Sequence, residues 1–174
     1  MEELKTIINK KIDIKRLGLV RDLFVFASFT GLTYGDLKNL QRKHLYVFNG
    51  DLWLRINRGK TNQPSIMKLF DIPMRLIEKY DDPASNYIFP VPSNQKVNAY
   101  LKELSDICEI QKTVTFHVAR HSAVSLALSN GMPIESIAKM LGHKNIRTTQ
   151  LYAKITDMKL ITDMDNLEEK LNNL

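Results

Sequence analysis

The 174-residue chain holds a single cysteine, Cys108, so no internal disulfide can form and a reducing, cytoplasmic compartment is expected. No apolar run approaches the roughly 18 residues of a membrane-spanning helix, so no membrane partner is expected. The first residues, "MEELKTIINKK", are amphipathic and carry acids, unlike a secretory signal or a transit peptide. The seven glycines are scattered, with no phosphate-cradling loop, and no cysteine cluster could hold zinc. His117 and His121 are four apart, but the glutamate of a zinc-protease helix is missing. Such a lone pair is more commonly packed or at the surface than metal-bound. No repeat of fixed period and no low-complexity segment appears. These absences argue against a nucleotide- or metal-dependent enzyme; no metal and no cofactor is expected.

What is present suits one globular domain: 44% hydrophobic and 25% charged residues. The net charge is +6, and its placement is uneven. Residues 1–60 hold 12 Lys+Arg against 6 Asp+Glu, and the remainder holds 13 against 13. The excess therefore lies in the first third, where a polyanion could be gripped.

Residues 1–12 read as a short amphipathic helix. "LGLVRDLFVFASFTG" (17–31) has the apolar density of a buried helix ending at Gly31, and "GDLKNL" is a short helix with Asp36 near its start. From 44 to 72 the pattern turns β-branched and aromatic. Asn49-Gly50 is a hairpin dipeptide and "GKTNQP" a second turn, giving strands near 44–48, 51–58 and 65–71. Helices follow at 73–80, at 93–109 with Ser93 as cap, at 116–131 and 133–142, each of these last two ending at a glycine, and at 145–155. The tail, 158–174, carries an apolar stripe of Ile161, Met164, Leu167, Leu171 and Leu174. The fold class is mainly α with a small three-stranded antiparallel sheet (α+β).

Three short motifs carry chemistry. In "FHVARH" (116–121), His117 and Arg120 are three apart and share a helix face. A guanidinium matches two oxygens of a phosphate, and an imidazole can bond the same group or move a proton. In "LGH" (141–143), His143 begins a turn between two helices. In "QLY" (150–152), Tyr152 bears a phenol of ordinary pKa about 10, a poor nucleophile unless cations stabilise the phenolate and the transition state. Arg120, His117 and His143 could supply that stabilisation.

This set resembles the catalytic domain of the tyrosine recombinase (phage integrase-like) family. His117-Val-Ala-Arg120, Leu141-Gly142-His143 and Tyr152 match its motifs in order. "FTGLTYGDLKNL" (29–40) looks like the family's first box, and "RGKT" (58–61) looks like its lysine turn. The resemblance implies that Tyr152 attacks a scissile phosphate to give a 3′-phosphotyrosyl link to DNA. It further implies that Lys60 protonates the leaving 5′-oxygen, and that Arg120, His117 and His143 hold the non-bridging oxygens. Residues 1–174 would then be one catalytic domain, with the family's N-terminal DNA-clamping domain absent from this chain. Double-stranded DNA is the implied partner, in a homo-oligomer that is tetrameric in synapsis and associated with the bacterial nucleoid. The tail would dock on a neighbouring protomer or fold back on its own core. Integration or excision of a mobile element is the implied setting.

The pattern departs at Thr33, where the family usually has arginine. Asp36 keeps the family's acidic position, implied to orient basic side chains. Arg58 lies two residues before Lys60, so along a regular strand both face the same way, and Arg58 is the expected substitute for the missing cation. Arg55, at odd spacing from Lys60, should face away. Lys38, Arg42, Lys43, His121, Lys144 and Arg147 are candidate contacts to the DNA backbone. A rival reading takes 129–152 as a helix-turn-helix of a non-catalytic DNA-binding regulator, with 145–155 as its recognition helix. A third makes the chain a catalytically impaired, recombinase-like accessory protein.

Overall fold

A computed structural model describes residues 2–59, 62–150 and 157–172. The architecture is a helical body with one small sheet at its side, and it is organised around one central helix. That helix, α2 (Lys15–Thr30), is apolar almost all round and packs against α1 (Glu2–Asn9), α4 (Asp71–Lys79), α5 (Asn94–Ile107) and α6 (Phe116–Ser129). Leu17, Val20, Leu23, Phe26 and Ala27 on it are essentially inaccessible. Phe26 meets Phe89 edge-to-face at 4.8 Å. Ser28 and Thr30, also buried, donate to the carbonyls of Phe24 and Phe26, so their hydroxyls are satisfied within the helix.

One carboxylate on α2 is buried as well. Asp22 accepts from Arg21 (2.9 Å), from Lys79 Nζ (2.6 Å) and from the Tyr80 hydroxyl (2.8 Å), bolting α2 to the end of α4. Burial, with Asp22 beside it, holds the Tyr80 phenol above its ordinary pKa.

α3 (Tyr34–Lys38) follows α2 after a left-handed Gly31. A 3-10 turn at Arg42–His44 leads into β1 (Leu45–Phe48), which the sequence pattern had running on from residue 44. β2 (Asp51–Asn57) and β3 (Pro64–Lys68) complete an antiparallel sheet in the order β1-β2-β3. Both Asn49 and Gly50 have positive φ, the requirement of the tight hairpin that their dipeptide signals. Leu54, Ile56, Ser65 and Met67 face the helical body and are buried, whereas Arg55, paired with Ile66, is exposed on the outer face.

Ser93 caps α5 through its hydroxyl, as its position suggests. α7 (Ile134–Met140) packs on α6 through a separate small core of Val124, Ile137 and Leu141. α8 is the single turn Arg147–Gln150 within the region read as one helix over 145–155; residues 151–156 lie outside the described part. α9 (Asp157–Asn172) carries the tail, where Met164, Leu167 and Leu171 are all exposed. Leu174, also in the tail stripe, is outside the described residues. Among the described residues no helix is long and apolar enough to cross a membrane.

Candidate active site

α3, the end of β2, the starts of α5 and α6 and the turn after α7 enclose a cleft of about 930 Å³. Its wall includes Thr33, Asp36, Arg58, His117, Arg120, His143 and Lys144. Asn98 of α5 accepts from the Phe116 backbone N–H at 2.9 Å, which caps α6 and so fixes the helix turn that bears His117 and Arg120.

The cleft is built around the carboxyl end of α7. Four carbonyls there lack a helical partner, and each is satisfied by a different route. Ala138 and Lys139 accept from the N–H groups of His143 (2.9 Å) and Gly142 (3.1 Å) across a left-handed Gly142, φ +60°. The Met140 carbonyl accepts from the Ser65 hydroxyl of β3. The Leu141 carbonyl accepts twice, from Arg58 Nη1 at 3.0 Å and from Arg120 Nη2 at 2.9 Å. Two guanidiniums therefore meet at the negative end of one helix.

Arg120 is 4% exposed and also donates to the carbonyl of Gly31. Gly31 has φ +67°, and a Cβ there would stand 2.4 Å from Leu141 Cδ2, so a larger residue would be strained and would have to displace that side chain. Arg58 runs over Gly142, where an added Cβ would lie 2.9 Å from its Cδ. Its Nε is 3.3 Å from Asp36 Oδ2 and makes no directed hydrogen bond, so the contact is one of charge. Both side chains are nearly buried, at 11% and 7% exposure. Thr33 does not face the cleft as a donor. Its hydroxyl gives its proton to Asp36 Oδ2 at 2.6 Å, and together they form the capping box of α3.

His143 completes the wall. Its Nε2 is 2.8 Å from Arg120 Nη2 and its Nδ1 is 2.7 Å from Thr149 Oγ1. Burial, then Arg120 and Arg58, push its pKa down to about 4, so the ring is neutral at pH 7. His117 and His121 meet edge-to-face at 4.8 Å, and His121 is held below its ordinary pKa by burial, His117 and Arg120. With cations on several sides and room between them, the cleft can hold one multi-oxygen anion such as a phosphodiester.

Comparison with known proteins gives this arrangement a family. The model of the phage integrase family matches residues 1–159. The chain belongs to the phage integrase family. It is 27% identical over 168 residues to tyrosine recombinase XerD of Oceanobacillus iheyensis, covering 88% of this chain and 54% of that protein. Tyrosine recombinase XerA of Thermococcus onnurineus is 29% identical over 164 residues, 89% of this chain and 57% of the relative. The crystal structure of XerA recombinase superposes with a TM-score of 0.70 at 25% identity, over 95% of this chain and 62% of that one. XerH bound to its difH substrate shares the fold, with a TM-score of 0.72 at 17% identity over 94% of this chain and 51% of that one. The chain spans about half the length of the curated relatives it matches.

Set against the family's motifs, the structure brings His117, Arg120, His143, Asp36 and Arg58 to one cleft. Lys60 and Tyr152 lie outside the described residues. Of the backbone-contact candidates only Lys144 lines the cleft. Lys38, Lys43 and Arg147 are exposed elsewhere, and His121, its ring partly shielded where it packs on His117, lies outside the cleft wall. Arg42 is bound to the 81–85 loop, donating to Asp81, to the Asp82 carbonyl and to the Ser85 carbonyl. It braces that loop. Sequence reasoning missed Asn98 and Thr149: a polar residue on a helix has no local pattern that names a partner 18 positions away, or a ring six positions back.

Proposed function

We propose that this chain is the catalytic part of a site-specific tyrosine recombinase, an enzyme that breaks and rejoins double-stranded DNA. The observation that carries the reading is the convergence of Arg58, Arg120, His117 and His143 on one cleft, in a chain of the phage integrase family. In this reading the Tyr152 oxygen attacks a scissile phosphorus and the P–O5′ bond breaks. Lys60 gives a proton to the departing 5′-oxygen, and His117 takes the phenolic proton. Arg120 and Arg58 hold the non-bridging oxygens, where negative charge gathers in the transition state, and His143, in contact with Arg120, holds that guanidinium in place. The 5′-hydroxyl of a second strand then attacks the phosphotyrosyl link and releases the phenol. One phosphodiester is exchanged for another ester, so the energy of the bond is conserved.

Arg58 takes the place of the cation missing at position 33. Its pairing with Asp36 and its sharing of the Leu141 carbonyl with Arg120 support this assignment. The working form is a tetramer on DNA in the bacterial cytoplasm and nucleoid, serving integration or excision of a mobile element. Exposure of Met164, Leu167 and Leu171 supports docking of the tail on a neighbouring protomer.

Incubation with a library of nicked random-sequence duplexes, followed by denaturing electrophoresis, tests the reading. A protein–DNA adduct is expected whose linked peptide contains Tyr152, and Tyr152→Phe should abolish it. A chain that binds the duplexes tightly but yields no adduct would favour the non-catalytic regulator.

A further inference from the structure

His143 is held from both sides, and the two contacts together decide where its proton sits. Arg120 Nη2, 2.8 Å from Nε2, is a donor with no lone pair, so Nε2 is the acceptor. The neutral ring therefore carries its proton on Nδ1, 2.7 Å from Thr149 Oγ1. Thr149 is wholly buried, its N–H is bound to the Ile146 carbonyl at 2.8 Å, and its β-branched side chain has little rotational freedom. Its hydroxyl oxygen is thus held in place to accept that proton.

We infer that Thr149 is a positioning residue for His143: its hydroxyl accepts the Nδ1 proton, fixes one tautomer, and keeps the Nε2 lone pair toward Arg120. Thr149 also stands three positions before Tyr152, so the same hydrogen bond ties the imidazole to the segment that leads to the proposed nucleophile. Without the hydroxyl, the Nδ1 proton is buried unsatisfied. Moving it to Nε2 would set an N–H donor against the Arg120 donor. The tautomer stands on geometry alone, and only its consequence for cleavage rests on the recombinase reading.

Long-range proton–nitrogen NMR of the histidine-labelled chain at neutral pH reads the tautomer directly, with His143→Gln assigning the resonances. Wild type should show a protonated Nδ1 and an unprotonated Nε2, and Thr149→Ser should keep both. Thr149→Val, of similar volume but without the hydroxyl, should lose the single-tautomer signature. Its cleavage of DNA should slow roughly tenfold with affinity for DNA unchanged, as expected for one lost hydrogen bond of about 1.4 kcal/mol, and Thr149→Ser should restore it. An Nε2-protonated ring in wild type would overturn the inference, whatever the variants do. So would an unchanged tautomer in Thr149→Val. If wild type forms no DNA adduct but shows the Nδ1 tautomer, the recombinase reading fails and the positioning stands.

Discussion

Replacing Arg58 by methionine removes a guanidinium wedged between Asp36 and the Leu141 carbonyl while keeping most of the stem that crosses Gly142. Asp36 would then be a nearly buried carboxylate whose remaining partner among the described residues is Thr33. Stranding one charge of a buried pair costs about 3–5 kcal/mol, and the two Thr33 contacts put this case near the lower figure. For a chain of 174 residues, about 3 kcal/mol lowers the melting temperature by about 6–12 °C. Asp36→Asn leaves the reverse problem, an unpaired guanidinium beside a helix end. The double variant Asp36→Asn/Arg58→Met removes both charges at once. Its loss should be smaller than the sum of the single losses by about 2 kcal/mol. Urea unfolding of the four proteins, followed by circular dichroism, supplies the cycle. Losses that add to within about 0.5 kcal/mol would refute the coupling, and with it the claim that Asp36 holds Arg58 in place.

Gly142→Ala forces a left-handed backbone on a residue with a Cβ, costing about 1–2 kcal/mol, and thrusts that carbon against Arg58 and the Gln63 carbonyl. Thermal unfolding should show the loss, and anion affinity of the cleft should fall with it as Arg58 is displaced. Stability should also depend on pH through His143. The unfolded imidazole titrates near 6.5 and the folded one near about 4, so between these values the unfolded chain binds more protons. The contribution is fully present above pH 6.5 and is lost as pH falls toward 4. Urea midpoints measured across this range should fall more steeply for wild type than for His143→Gln. Equal slopes would mean that the ring is not held neutral.

Much of the helical framework was legible because its signals are local. Gly31 and Gly131 end α2 and α6 in left-handed geometry, and Asn49-Gly50 turns the first hairpin. The strand alternation that predicts an outward Arg55 also describes β2, whose Ile56 is buried while Arg55 is exposed. The meeting points were not legible, because they depend on tertiary approach. Nothing in "RGKT" announces that Arg58 will lie on Gly142, 84 positions on, or share the Leu141 carbonyl with Arg120. Nor does the acid in "TYGDL" show that its partner comes from the sheet rather than from its own helix. The brace from Arg42 to the 81–85 loop was hidden for the same reason: a basic residue in a basic stretch looks available until its partners are placed.

In the recombinase reading, Arg58 supplies the phosphate-site cation that position 33 lacks. Single-turnover formation of the DNA adduct by Arg58→Ala, at a temperature where circular dichroism shows the variant folded, tests it most directly. Loss of one preorganised donor to a developing oxyanion should slow the step by about 10²–10³-fold, with Arg58→Lys falling between. Adduct formation by Arg58→Ala at the wild-type rate would contradict the claim.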